Sequence, residues 1–401
     1  MIRGRSHLYC IYLGACLMLA ACAAVPERAD RDVVYPLVVV ESSAIPLYDD
    51  DLDVESLRRA IEQSLTYYDR VPPTTVFTFG QDRYTLSDMK ASLLEFLDIM
   101  VTSRSDDERN TRIGDAFRVY RSVGRGREGR VLFTGYYEPL LHGSLEKTDR
   151  YRYPLYRIPD DHVTIDLGQF RDRYRGESVI ARLDGGRIVP YYTRRDIDVD
   201  DRLKGRGLEI AWVDDPVDLF FLHIQGSGMI QLPDGTAMKV SYAHKNGHPY
   251  RSIGRLLVDR GKLTLEESSL QSIKRYLRAH PREMNDILAH NDSYVFFRRV
   301  DEGPVGCLDV PVTSGRSIAT DSSLFPRGAL AFIKTKKPVM AADGTITGWV
   351  PVSRFVLNQD TGGAIKGPGR VDLFCGSGRY AESWAGNLKE EGELYFLVKK
   401  R

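Results

Sequence analysis

"QDTGGAIKGPGRVDLFCGSG", residues 359–378, sets Asp360 and Asp372 on either side of a glycine-rich turn in a stretch that otherwise reads as strand. In "GRVDLFCG" a period of two places Arg370, Asp372 and Phe374 on one face and Val371 and Leu373 on the other. Aspartate is disfavoured inside strands, so Asp372 asks for a reason. One is chemical: a carboxyl group pressed against an apolar wall keeps its neutral form, as a general acid for a glycosidic oxygen requires near neutral pH. The other is an ion pair with Arg370 or Lys366. Asp360 ends the preceding run, and Thr361, Gly362 and Gly363 let the backbone turn tightly behind it. It reads either as the cap of that turn or, where the two strands fold together, as a carboxylate sharing a cleft with Asp372, one charged while the other stays protonated.

Around this stretch the C-terminal region is strand-rich, in "SYVFFRRV", "GALAFIKT", "FVLNQD" and "ELYFLVKK". The middle of the chain is expected to be mostly β as well. "RVLFTGYYEPLL" is β-branched and aromatic, and "RYRYPLYRIP" and "GRIVPYYTRRDI" continue in short extended pieces. "LEIAWVDDPVDLFFLHIQGSGMIQLPDGTAMKVSYA" reads as a chain of strands, with "PDGT" as a turn and "IQGSG" as a bulge or sharp bend. Helical periodicity is confined to four places. Leu57, Ile61 and Leu65 make one apolar stripe; Met89, Leu93, Leu97 and Met100 make another. "TLEESSLQSIKRYLRAH" shows a capping box at Thr264 and Glu267 ahead of Leu270, Ile273 and Leu277, and the short helix "PREMNDILAHN" follows. The order helices, β, helices, β in 401 residues predicts two domains whose β regions are separate barrels or sandwiches.

At the N-terminus, Arg3 and Arg5 precede an apolar run from Leu8 to Ala21 that is too short to span a bilayer, and small residues lead to Cys22. This is an export signal, and "LAAC" resembles the lipobox of bacterial lipoproteins, in which the cysteine is lipidated and becomes the mature N-terminus. Ala23, rather than aspartate, follows it, which favours the outer membrane. Losing residues 1–21 changes the formal charge from +1 to −1. No basic stripe asks for nucleic acid. Cys307 and Cys375 then remain as one disulfide or two free thiols. Neither CxxC nor HExxH occurs, and neither metal nor cofactor is expected.

Asp321, in "SGRSIATDSSLFPRGAL", makes a third aspartate in the last hundred residues. The run "GRSIATD…FPRGA…QDTGGAIKGPGRVDLF" resembles the three-aspartate (3D) domain of the MltA family, the membrane-bound lytic murein transglycosylases A. "FTGYYEPLLHGS", "YPLYRIP", "HIQGSGMIQLPDG" and "AHKNGHPYRSIGRLLVDRG" are similar to that family's other signature stretches, in its order. The resemblance implies a mainly β fold with flanking helices: a double-psi β-barrel domain interrupted by a second, smaller β domain, with a glycan groove between them. On this chain the implied boundaries are a lipoprotein signal peptide at 1–21, a tether at 22–45, a first domain from 46–139 and 301–401, and an insertion at 140–300. It also implies cleavage of the β-1,4 bond between N-acetylmuramic acid and N-acetylglucosamine in peptidoglycan, leaving a 1,6-anhydromuramoyl end. Asp372 maps onto the family's catalytic acid and Asp360 onto another of its three aspartates; Asp321, the weakest of the trio, is expected to contact substrate or hold structure.

A conventional glycosidase uses two carboxylates because water or an enzyme nucleophile must also be handled. When the sugar's own C6 hydroxyl attacks, one carboxyl can serve as acid and then base. Thr134, Tyr136 and Tyr137 with Gln225 and Ser227 combine polar groups with flat rings, a mix suited to a glycan groove or, for the tyrosines, to strand packing. Glu138 reads as a second carboxylate or a boundary turn, and His223 as a core histidine. Cys375 stands where the family often carries a larger residue. Expected partners are peptidoglycan strands, the outer membrane through a lipid on Cys22, and cell-wall synthases or amidases. A hydrolase on the same fold and a non-catalytic glycan-binding lipoprotein are the alternatives.

Overall fold

A computed structural model describes residues 35–401 apart from 42, 43, 127, 343 and 344. The signal segment and Cys22 lie outside the described residues. Six strands close on themselves. In order around the ring they are Val131–Glu138, Arg370–Ser377, Ser317–Ala319, Ile346–Asp360, Leu330–Met340 and Lys389–Lys399, the last pairing back to the first. Closure removes the free edges that an open sheet exposes. Outside the ring, Phe117–Ser122 pairs with Lys389–Lys399, and Leu37–Val39 pairs with Phe117–Ser122. Leu37–Val39 was expected in the tether; it is an edge strand with Leu37 buried.

Helices Val54–Arg70 and Leu86–Thr102 pack their apolar stripes onto this barrel, capped by Asp53 and Thr85. Buried rings such as Phe96, Phe117, Phe332 and Phe355 join both layers into one core. The chain leaves the barrel at Pro139 and returns after Val300. Between them lies a second, six-stranded sheet in the order Val295–Val300, Ala237–Lys245, Ser227–Gln231, Leu140–Ser144, Glu209–Val213 and Tyr153–Tyr156, with its own apolar core.

Two local expectations need correcting. Pro216–Gln225, expected as strand, is a helix: Asp215 caps it through its side chain, Pro216 starts it and Gly226 ends it. Val217 and Leu219 to His223 are all buried, so no polar face marks the helical period. Thr264 and Glu267 do exchange hydrogen bonds, but they close a turn. The helix begins at Leu270, capped by Ser269 and Ser272. The helix Gly378–Asn387, directly after the Asp372 strand, carries no apolar stripe strong enough to announce it.

Candidate active site

The strands carrying Thr134 and Asp372 run parallel, with the two residues directly paired. Alternation does the rest. Val371, Leu373 and Cys375, with Val131, Phe133 and Tyr137, enter the main core. Tyr136 and Phe374 turn to the other face, where their rings pack at 5.1 Å with Val312 and Ala319. Gly135 is required between them, because a Cβ there would lie 2.8 Å from both the Ala385 Cα and the Cys375 Sγ. That close approach seats the helix Gly378–Asn387 against the strand.

Ala319 is the partner of Asp372 on one side and of Asp360 on the other. The aspartates therefore stand two strands apart, roughly 10 Å between backbones, with only a methyl group between them. Asp360 Oδ1 accepts from the backbone N–H groups of Thr361 at 2.8 Å and Cys307 at 2.9 Å. The second contact depends on Gly306, whose missing side chain would sit 2.7 Å from the Gln359 carbonyl. Thr134 Oγ1 donates to Asp372 Oδ1. Arg370 does not pair with Asp372; its Nη2 reaches Thr134 Oγ1 at 3.3 Å. Lys366 faces Asp321 instead.

Crowding raises both carboxyl groups above the ordinary range. For Asp372, burial outweighs the opposing Thr134 hydrogen bond and Arg370 charge. Asp360 is pushed up to about 6, by burial first and also by the charge of Asp372, against the two N–H donors. The buried Tyr136 hydroxyl lies beside Asp360, where its interaction opposes the rise of that carboxyl group. The arrangement raises the proton affinity of two half-buried carboxyl groups. That is general-acid equipment.

Two profiles match: one described as the MltA specific insert domain over residues 132–298, and one described as the 3D domain over residues 316–398. Membrane-bound lytic murein transglycosylase A of Escherichia coli strain K12 is 31% identical over 294 residues, 73% of this chain and 72% of that protein. The chain belongs to the MltA family. A membrane-bound lytic murein transglycosylase from Agrobacterium tumefaciens superposes with a TM-score of 0.73 at 32% identity, covering 91% of this chain and 98% of that one. MltA from Neisseria gonorrhoeae gives 0.67 at 31%, covering 90% and 92%.

Within this MltA-family site the other expected residues separate. Tyr137 faces away from the aspartates, since neighbours on a strand point oppositely. Its hydroxyl donates to Glu382 at 3.2 Å and accepts from Lys274 at 3.4 Å, so it is core and not a sugar platform. Gln225 ends its helix and holds the Tyr137 N–H through Oε1 at 3.0 Å, tying the insertion to the barrel strand. Ser227 is buried in the second sheet opposite Ser241. Asp321 is also buried, with its oxygens taken by the Ser323 N–H and hydroxyl and by the Gly367 N–H. Although burial opposes them, these donors hold its carboxyl below the usual range. It braces the turn behind the site.

Glu138 is buried and accepts from Ser377 at 2.7 Å where the chain leaves the barrel. His223 is a core histidine, bonded to Arg194 at 2.9 Å and packed on Phe297. Cys307 and Cys375 are separate thiols, one exposed and one in the core. Sequence reading missed the Cys307 N–H, the Ala319 gap and Tyr250, a residue of the insertion that comes near enough to Arg370 to feel its charge. A backbone donor and a small side chain leave no compositional signal.

Proposed function

We propose that this protein is a lytic transglycosylase that cuts peptidoglycan between N-acetylmuramic acid and N-acetylglucosamine. Asp372 gives its proton to the glycosidic oxygen as the bond to the muramoyl C1 breaks. The resulting carboxylate then takes the proton of the C6 hydroxyl as that oxygen closes on C1. Water is neither consumed nor released, and Asp372 ends protonated. Asp360, on the opposite side of Ala319, supplies negative charge toward the oxocarbenium-like sugar and raises the proton affinity of the pair. Thr134 and the Tyr136 hydroxyl border the reacting atoms, and the Gln225 amide nitrogen, without a protein acceptor among the described residues, is left for sugar.

The observation that carries the reading is a raised, half-buried carboxyl group with a hydroxyl donor and no ion-pair partner among the described residues. Barrel strands and the 140–300 insertion are read as two domains flanking the glycan, with Cys22 as a lipid anchor to the outer membrane. Digesting purified sacculi and weighing the muropeptides tests the chemistry. Ends lighter by one water than reducing ends are expected, and none with Asp372→Asn. One feature favours a hydrolase: Asp360 is a second carboxyl group that could activate water. Reducing ends as the main product would establish that alternative.

A further inference from the structure

Arg370 shares the strand and the face of Asp372, yet it is spent on neither Asp372 nor any other carboxylate among the described residues. Its Nη2 donates to Thr134 Oγ1 at 3.3 Å, and its Nε is buried without a partner. Thr134 Oγ1 in turn donates to Asp372 Oδ1. A guanidinium can only donate, and a hydroxyl has one proton to give. With Arg370 occupying a lone pair of Oγ1, the threonine proton is directed to Asp372. The reverse orientation, a protonated Oδ1 donating to Thr134, would fill both lone pairs of Oγ1 and turn the threonine proton away from Asp372. Oδ1 is thereby held as an acceptor, and the mobile proton of Asp372 belongs on Oδ2.

The geometry points to Arg370 as a positioning residue that, acting through Thr134, determines which oxygen of Asp372 carries the proton delivered to substrate. This rests on Asp372 being the general acid. The groups around Asp372 are Arg370 on its own strand, Thr134 and Tyr136 on the parallel neighbour, Lys389 on the strand beyond Thr134 and Asp360 beyond Ala319, with the Cys375 thiol on the core face; Tyr250 of the insertion lies near Arg370. The Arg370 charge holds the Asp372 carboxyl down against burial, so its loss extends the protonated form to higher pH.

The test measures kcat and KM against pH on purified glycan strands for Arg370→Met, Thr134→Val, their double variant, and the conservative Arg370→Lys and Thr134→Ser. Arg370→Met is expected to lower kcat about 10- to 100-fold, leave KM within about twofold, and move the alkaline limb of kcat upward. The double variant should be within about twofold of Thr134→Val alone, because both break one relay. Arg370→Lys and Thr134→Ser, which keep a donor in place and are the least disruptive to folding, should recover most of the rate. Losses that multiply in the double variant, with the limb unmoved, would show two independent packing groups and overturn the inference. Residual turnover by Asp372→Asn would instead remove the reading beneath it, so the two failures are distinguishable.

Discussion

Two clusters of aspartates sit on this barrel and are treated in opposite ways. Asp50 meets Arg316, which is fully buried and spends its donors on Asp50 at 2.7 Å, the Phe355 carbonyl at 2.7 Å, the Asp53 carbonyl at 2.9 Å and the Ser56 hydroxyl at 3.0 Å. Asp51 likewise takes Arg354 at 2.7 Å and Lys337 at 2.8 Å. Those pairs pin the loop before helix Val54–Arg70 to the barrel. Among the described residues Asp360 and Asp372 have no such direct partner, and they flank an alanine. The same side chain is a staple where a cation bonds it directly and an acid where, among the described residues, none does.

The largest expected effect comes from supplying the missing neutrality. Asp372→Asn should lower turnover by about 10²- to 10⁴-fold while binding to sacculi is kept; muropeptide release and pull-down with sacculi measure the two. Near-normal turnover would erase the distinction between the clusters. Breaking the staple should do the reverse. Arg316→Met leaves Asp50 buried and unpaired, and denaturant unfolding should show a loss of about 3–5 kcal/mol, with kcat of the folded fraction retained.

Smaller effects sharpen the contrast. The Asp360 carboxyl rises from 3.8 to about 6 on folding, so the native state holds that proton more tightly than the unfolded chain. The resulting destabilisation grows as pH climbs through this window and is complete above it. Asp360→Asn removes it, and should stabilise the protein by about 1–2 kcal/mol near neutral pH but by nothing below about pH 4. Thermal melts at both pH values check the sign. Wild-type turnover, which needs the proton on Asp372, should fall as pH rises, with that fall displaced above the ordinary carboxyl range; a rate still climbing as the pH rises through it would contradict a protonated acid. The smallest change is Gln225→Ala, which frees the Tyr137 N–H and should cost about 1 kcal/mol of stability, read from urea midpoints.

Much of the site was legible because strands alternate strictly. Arg370, Asp372 and Phe374 do share a face, but the glycine-rich turn does not pair its two strands: Ser317–Ala319 lies between them and separates the two aspartates. The same rule, applied to Tyr136 and Tyr137, should have separated them, since adjacent residues on one strand cannot both line one groove. Asp321 was harder to place, because beside the local Ser323 N–H it takes the backbone N–H of Gly367, whose position depends on how a distant loop closes. The helix Pro216–Gln225 misled for a different reason: burial on all sides erases the polar face by which a helix is read.

By itself, the sequence determined the strand periods, the motif order that marks the family, and the choice of Asp372 as the residue to test. These are local properties, set by side-chain identity and the two-residue repeat of an extended chain. Only the tertiary structure decided which carboxyl groups bond a cation directly. It was also what brought the Cys307 N–H to Asp360 and placed Arg370 behind Thr134. Proton affinity depends on the charges and donors within a few ångströms, and those come from segments up to 250 residues apart, such as Thr134 and Asp372, 238 apart in the chain.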